Sequence, residues 1–279
     1  MRYGAPVFDT HTPEEWIASH RRLGYGAAYF PLSAKDDPSK IGEYAQAARE
    51  AGLIIAEVGA WSNPIDPNPE RREQAVRYNI EQLELAERVG ACCCVNISGS
   101  CHPEIWMAAH PDNLSEATFE KIVQTVRRII DAVNPTHTFY TLECMPWSFP
   151  DSVDSYLELI KRVDRKGFAV HLDPCNLVNC PRGLYGFSKL IQDCANRLGP
   201  YMRSVHVKDL SLKVDAANVE LSEVEFGTGD IDRMALIRAL SPLDVPMMLE
   251  HLPDEAAYKR AGGCFEALAR QAGVELERI

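Results

Sequence analysis

Short apolar runs alternate with longer amphipathic segments along the whole chain. The short runs are rich in β-branched and aromatic residues, which favour strands, whereas the longer segments repeat apolar residues at the spacing of a helix face. This pattern predicts eight strands, at residues 4–8, 25–32, 53–61, 91–97, 138–145, 167–173, 202–208 and 246–251.

A helix is predicted after each strand. The first begins at Thr12, because Thr12 is a good N-cap, Pro13 suits the first turn and Glu15 completes a capping box. The later helices are predicted at residues 40–51, 70–89, 114–133, 153–163, 184–198, 231–240 and 255–272. Eight strand–helix units of about 35 residues on average match the size of a (β/α)₈ barrel, known as a TIM barrel.

An open, doubly wound sheet is the alternative to a barrel. Such a sheet is expected to carry a Gly-x-Gly-x-x-Gly motif after its first strand, and the chain has none there. No linker rich in Gly, Ser or Pro divides the chain either. We therefore predict one α/β domain, a single (β/α)₈ TIM barrel over residues 1–279.

The composition is that of an ordinary globular protein. Of the 279 residues, 46% are hydrophobic and 25% are charged, which excludes a disordered or fibrous chain. A formal net charge of −11 disfavours nucleic-acid binding, for which a basic face is expected. No window approaches the roughly 18 apolar residues of a membrane helix, and the N-terminus lacks the apolar stretch of a secretory signal. We predict no membrane partner.

The nine cysteines include three in a row, Cys92, Cys93 and Cys94. Successive residues of a strand point to opposite faces, so this run is interpreted as small buried residues rather than as part of a disulfide framework. Unpaired cysteines are typical of a reducing compartment, and a cytoplasmic location is predicted.

Potential metal ligands stand at the ends of the last four predicted strands. They are Glu143, Asp173, His206 and Glu250. Because the carboxyl ends of barrel strands meet at one mouth, these side chains are expected at the same height. One acid at a strand end usually caps a helix or faces solvent, but four such ends in succession are much less expected by chance.

The chemistry of these four residues favours a bound cation. Three carboxylates in one mouth would repel and desolvate one another unless a positive charge neutralised them. Three carboxylates and one imidazole suit one divalent ion of intermediate hardness, Mn²⁺ first, with Mg²⁺, Co²⁺ and Zn²⁺ as alternatives. The sequence therefore predicts a metal site at the mouth of the barrel.

Six short motifs follow one another in a recognisable order: LIIAEVGAWSNP, TLECMPW, HLDPCN, SVHVKD, GTGDID and LEH. Together they resemble the sugar phosphate isomerase/epimerase group of the xylose-isomerase-like TIM-barrel superfamily, over nearly the whole chain. The candidate ligands are separated by 30, 33 and 44 residues, which adds to the resemblance. The resemblance implies that these four residues hold a divalent ion, which binds adjacent oxygens of a small carbohydrate.

Six further residues are candidates for contact with the substrate. They are Lys208, His171, Asn176, Trp61, His102 and Trp147. Strand alternation places Lys208 on the same face as His206, and the alternative is a surface lysine. His171 likewise shares a face with Asp173. The alternative to substrate contact is a core histidine whose ring nitrogens are hydrogen-bonded within the protein. Trp61 is either an apolar platform for a sugar ring or an ordinary core tryptophan.

Two positions depart from the ketose 3-epimerases of this group. Those enzymes have a histidine three residues after the strand-six aspartate and an arginine six residues after the metal histidine, where this chain has Asn176 and Leu212. The departures argue against a 3-epimerase and leave general isomerase chemistry intact.

The resemblance implies a metal-dependent isomerase or epimerase of a small sugar or sugar derivative. The reaction would remove a proton next to a carbonyl and pass through an enediolate. Glu143 and Glu250 flank the site from the fifth and eighth strands, so they are the predicted acid–base pair. Asp173 and His206 are then chiefly ligands.

Other functions stay open at this point. A lyase would expel a β-hydroxyl from the same enediolate and act as a dehydratase of a keto-sugar or keto-polyol. A non-catalytic carbohydrate-binding or regulatory barrel is the alternative outside enzymes. Endonuclease IV shares the barrel but binds three zinc ions through additional histidines, and this acidic chain has only eight histidines. We therefore predict no nucleic-acid partner. A monomer and a homo-oligomer are both compatible with the sequence.

Overall fold

The structure is a computed structural model that describes residues 1–279. Its strands follow one another in the predicted order. The chain forms ten strands: β1 (Tyr3–Gly4), β2 (Ala27–Tyr29), β3 (Ile54–Gly59), β4 (Cys93–Ile97), β5 (Tyr140–Glu143), β6 (Phe168–Leu172), β7 (Met202–Val207), β8 (Asp209–Leu212), β9 (Leu221–Val224) and β10 (Met247–Leu249). Eight of them make one parallel sheet in the order β1-β10-β7-β6-β5-β4-β3-β2. The predicted (β/α)₈ barrel is confirmed, with observed strands shorter than predicted.

Helices surround this sheet. They are α1 (Pro13–Leu23), α2 (Pro38–Ala51), α3 (Pro69–Val89), α4 (Glu116–Val133), α5 (Val153–Val163), α6 (Pro181–Tyr185), α7 (Phe187–Leu198), α8 (Arg233–Leu240) and α9 (Glu255–Gln271). The Thr12 side chain accepts a hydrogen bond from the Glu15 N–H at 3.2 Å, so α1 is capped as predicted. No helix combines the length and apolar character needed to cross a membrane.

One predicted helix is interrupted. The sequence predicts one continuous helix over residues 184–198, but the chain forms α6 and α7 with Gly186 between them. Gly186 adopts φ −94° and ψ 7°, outside the helical region, and Pro181 supplies the first turn of α6. The apolar spacing continues across Gly186, so periodicity alone does not reveal the break.

The sheet closes between β1 and β2 through one backbone hydrogen bond and a close approach. The Gly26 N–H donates to the Tyr3 carbonyl at 3.0 Å. A Cβ added at Gly4 would collide with the Ala27 backbone carbonyl. Only glycine therefore fits at Gly4 without moving β2 away from β1.

Replacement of Gly4 by alanine is expected to strain this closure and to lower the free energy of unfolding by about 1–3 kcal/mol, as overpacking typically does. Gly42 in α2 is the matched control, because a Cβ there meets nothing within 4 Å. The Gly42→Ala variant should gain about 0.5–1 kcal/mol from helix propensity. Urea unfolding measures both changes, and an unchanged midpoint for Gly4→Ala would show that the close approach is not required.

A hairpin that the pattern did not predict extends β7 beyond the barrel. Strands β8 and β9 pair antiparallel, with Asp209 opposite Val224. The buried Asp209 carboxylate accepts hydrogen bonds from the Gly227 and Gly229 N–H groups, each at 3.1 Å, and from Arg233 at 2.6 Å. These bonds anchor the chain between the hairpin and α8, and they fix the hairpin beside the mouth of the barrel.

Candidate metal centre

The structure brings the four predicted ligands together. Glu143 is the last residue of β5, His206 lies near the end of β7, and Asp173 and Glu250 directly follow β6 and β10. One ligand atom of each residue lies within 4.8 Å of the others, and all four residues are buried. The strand register produces this arrangement, because Glu143 pairs with His171 two residues before Asp173 and His206 pairs with Met248 two residues before Glu250.

Several atoms of this group have close neighbours but no hydrogen bond. His206 Nδ1 lies 2.8 Å from Glu250 Oε2 and 3.6 Å from Glu143 Oε2. Lys208 Nζ lies 2.7 Å from Asp173 Oδ2 and 2.8 Å from Glu250 Oε1. Despite these distances, Asp173 Oδ2, His206 Nδ1 and Glu250 Oε1 are buried without a hydrogen bond of acceptable geometry.

Buried polar atoms rarely lack a partner, so three such atoms in one group require an explanation. All three are lone-pair donors of the kind that bind divalent ions. The residues present therefore fit a divalent cation, both in the type of donor and in the three atoms that make ionic contacts but no well-oriented hydrogen bond.

The electrostatics of the group point the same way. Burial and the neighbouring carboxylates raise the pKa of Asp173 to about 8, although the Lys208 ammonium acts against this shift. Burial would lower the pKa of His206, but Glu250 and the other acids around it raise that pKa well above its usual value. Ionised Asp173 would therefore add a third carboxylate charge to the two that Lys208 and His206 balance, and a bound cation would stabilise that charge.

Two of the predicted substrate residues contact this group. Lys208 is 4% exposed and reaches two candidate ligands, as given above. Asn176 Nδ2 donates to Glu143 Oε1 at 2.9 Å, and its backbone N–H donates to Asp173 Oδ1 at 3.3 Å. Both side chains therefore orient carboxylates, and both line the cavity beside them.

Two more of the predicted residues, Trp61 and His171, place their rings beside His206 and differ in exposure. Trp61 is 42% exposed, and its ring centroid lies 6.3 Å from that of His206. His171 is completely buried, and its ring contacts His206 edge-on with 4.1 Å between centroids. Trp61 is thus open to a ligand, whereas His171 lies beneath His206.

The remaining two predicted residues lie elsewhere. His102 is in the loop between β4 and α4, where its Nδ1 accepts from the Glu104 and Ile105 N–H groups at 3.2 and 3.0 Å. Trp147 is half-buried in a turn after β5. Neither residue lines the cavities at the mouth.

Two cavities of about 530 Å³ each open at the mouth, and both are lined by Trp61, Glu250 and His251. One extends over apolar residues that follow β1, such as Ala5 and Val7, and over Tyr29 of β2. The other contains Glu143, Asn176 and Lys208 together with exposed apolar residues, Trp106 and Met107 among them. Volumes of about 300–1,000 Å³ are typical of small-molecule sites.

Three residues near the group were not predicted from the sequence. Glu57 on β3 is 1% exposed, with Oε2 3.1 Å from His206 Nε2. Its signal was a carboxylate in the middle of an otherwise apolar strand. Glu223 on β9 lies 3.3 Å from Lys208 Nζ and 2.8 Å from His251 Nδ1. His251 has a φ of 55°, which is unusual outside glycine.

Known structures with the same fold include proteins of different activities. A xylose isomerase-like TIM barrel protein from Mycobacterium smegmatis, solved with magnesium, is 19% identical, with a TM-score of 0.67 over 98% of this chain and 96% of that one. D-psicose 3-epimerase from Clostridium cellulolyticum H10, solved with D-tagatose, is 16% identical, with a TM-score of 0.70 over 99% and 100%. The probable 3-DHS dehydratase AsbF from Bacillus anthracis is 15% identical, with a TM-score of 0.71 over 96% and 99%.

At these identities the structural similarity establishes the fold alone. A search of curated proteins finds no match. The family described as "Xylose isomerase-like TIM barrel" matches residues 18–268, which is most of the chain. The chain therefore belongs to the xylose isomerase-like TIM barrel family.

Proposed function

We propose that the protein is a divalent-metal-dependent isomerase or epimerase of a small sugar or sugar derivative. One observation carries the proposal: three carboxylates and one histidine converge at the mouth of the barrel, and three of their buried atoms lack hydrogen bonds. Membership of the family and the similarity to a sugar epimerase support it.

Glu143, Asp173, His206 and Glu250 would hold the ion. When bound, a divalent ion supplies Lewis-acid polarisation of a substrate carbonyl and its neighbouring hydroxyl. We propose Mn²⁺ as the first choice and Mg²⁺, Co²⁺ and Zn²⁺ as alternatives, because the set contains three hard oxygen ligands and one imidazole.

The side chains of the protein carry the proton. A carboxylate, Glu143 or Glu250, takes the proton from the carbon next to the carbonyl, and the electron pair of the broken C–H bond forms the enediolate. The other carboxylate, which is protonated at the start, gives its proton to the neighbouring carbon or to the opposite face of the first one. When the neighbouring carbon is protonated, the hydroxyl proton passes to the former carbonyl oxygen. The first outcome is aldose–ketose isomerisation, and the second is epimerisation.

The surrounding residues would prepare these carboxylates. Asn176 donates to Glu143 Oε1, which fixes one end of the acid–base pair. Lys208 lies 2.8 Å from Glu250 Oε1, and its ammonium can donate to a substrate oxygen that gains negative charge. The exposed face of Trp61 offers an apolar wall for the sugar ring.

A dehydratase is the second candidate, supported by the similarity to a probable dehydratase and by a departure from the ketose 3-epimerases. Residue 176 is an asparagine whose side chain binds Glu143, so this position offers no imidazole to the substrate as in the ketose 3-epimerases. The same enediolate could then lose a β-hydroxyl as water, with Glu143 or Glu250 giving the proton to the leaving oxygen.

Incubation with Mn²⁺ and a panel of aldo, keto and polyol substrates in D₂O separates these functions. The proposal predicts deuterium at the carbon next to the carbonyl, detected by NMR, and no exchange after removal of metal with EDTA. A dehydrated product would identify the lyase. Sugar binding without exchange or product would identify a carbohydrate-binding barrel and contradict both enzymes.

We also propose a cytoplasmic location, because all nine cysteines are free. The net charge of −11 supports a small-molecule partner over nucleic acid.

A further inference from the structure

A carboxylate without an assigned role lies beneath the candidate metal centre. Glu57 is a buried residue in the middle of β3, and it lies on the Nε2 side of the His206 ring, whereas Glu143 and Glu250 lie on the Nδ1 side. Its Oε2 lies 3.1 Å from His206 Nε2, and its Oε1 accepts a hydrogen bond from the Ser204 hydroxyl. Burial of a carboxylate costs free energy, so its place in an apolar strand calls for a compensating role.

The two nitrogens of His206 face different partners. Nδ1 faces the carboxylates of the metal centre, 2.8 Å from Glu250 Oε2. Nε2 faces Glu57, which as a carboxylate can only accept a hydrogen bond. In the neutral imidazole this contact places the proton on Nε2 and leaves the lone pair on Nδ1 for a metal ion.

We propose that Glu57 is a positioning residue that holds His206 in the Nε2–H tautomer, with Nδ1 directed at the metal. The inference rests on the proposed metal-dependent function. Metal-binding histidines commonly donate their other N–H to a carboxylate in this way, which fixes the ring and raises its basicity as a ligand.

Two neighbours complete the support of His206. Ser204 precedes His206 by two residues on β7, so both side chains share one face of the strand, and its hydroxyl holds Glu57. The His171 ring contacts the His206 ring edge-on, with 78° between their planes. Glu57 thus fixes the proton of His206, and His171 restricts the rotation of its ring.

The same residues argue against a second metal ion in this position. Glu57, His171 and His206 are close enough together to bind one. However, in the proposed tautomer His206 Nε2 carries a proton that it donates to Glu57, so this nitrogen has no lone pair for a second ion. The proposal therefore predicts one metal ion per chain.

The test measures Mn²⁺ affinity and the protonation of His206 in the full chain. Glu57→Gln keeps the shape of the side chain and removes its charge, so Mn²⁺ binding followed by electron paramagnetic resonance should weaken by about 10–100-fold. Thr141→Val is the matched control, because Thr141 is equally buried and donates to the Cys94 carbonyl away from His206. The Mn²⁺ affinity of Thr141→Val should equal that of the wild type.

Nitrogen-15 NMR of the histidine rings gives a readout that a purely structural role would not change. With Mg²⁺ bound to both proteins, the wild type should show His206 protonated on Nε2 and hydrogen-bonded to a carboxylate, and Glu57→Gln should show a changed Nε2 chemical shift. The wild-type spectrum still tests the proposal if Glu57→Gln does not fold, because a proton on Nδ1 would overturn it.

Three results would overturn the inference: a proton on Nδ1 in the wild type, unchanged Mn²⁺ affinity in Glu57→Gln, or two ions per chain. Failure of the wild type to bind Mn²⁺ would instead contradict the proposed function. A wild type that binds Mn²⁺ beside an unaffected variant contradicts only the role of Glu57.

Discussion

Glu143→Gln and Glu250→Gln are each expected to reduce turnover by at least about 10²-fold, the lower end of typical general acid–base contributions. A proton transfer between two carbons or two faces needs one carrier on each side, and these two carboxylates come from different strands, at the ends of β5 and β10. Glutamine keeps the shape and one oxygen ligand but cannot take up the proton.

The measurement combines steady-state turnover, metal content and solvent exchange. Glu158→Gln is the control and should leave turnover unchanged, since the Glu158 side chain is 45% exposed on α5. A variant that keeps its metal and still exchanges substrate hydrogen with D₂O has lost only the second half of the transfer. Wild-type rates in both variants would contradict the assignment, and Lys208 would be the next candidate.

His206→Ala is expected to lower metal affinity by at least about 10²-fold. This loss exceeds the one that is typical when a residue hydrogen-bonded to a metal ligand is replaced. His206 is the one nitrogen ligand of the set, and alanine leaves three carboxylates without its contribution. Elemental analysis after gel filtration measures the metal, and far-UV circular dichroism checks that the fold persists.

His137→Ala is the matched control for this change. Its ring is 80% exposed and lies far from the barrel mouth, beside Glu87 at the end of α3. Metal content should stay at the wild-type level in this variant. Full metal occupancy in His206→Ala would contradict the assignment of the site.

The positions of the four candidate ligands could be predicted because they follow from the fold. Apolar strands were recognisable from their patterns, and a barrel brings their carboxyl ends together. Lys208 could be placed for the same reason, since it lies two residues after His206 on the same face. The roles of these residues stay predictions until the measurements above are made.

Glu57 was missed because its strand was interpreted as a run of core residues. Its partner His206 is far away in the sequence, and only the closed barrel brings the two side chains to 3.1 Å. Simple alternation along β3 does not reveal its orientation, because the pairing with β2 shifts by one residue between Ile55 and Glu57. A charged residue inside a buried strand nevertheless has to find a buried partner.

The loops were predictable only in part. His102 and Trp147 follow strands, but loop conformation is set by local hydrogen bonds, such as those of His102 Nδ1 with the next turn, and no periodicity reveals them. Glu223 lies in the β8–β9 hairpin, whose polar sequence has little apolar alternation. Its approach to Lys208 depends on the way Asp209 anchors the following loop.

Anomalous diffraction from crystals grown with Mn²⁺ tests the central claim most directly. The account predicts a single anomalous peak per chain, in contact with one atom each of Glu143, Asp173, His206 and Glu250, with His206 bound through Nδ1. A peak bound by Glu57 and His171, or an ion elsewhere on the barrel, would contradict it.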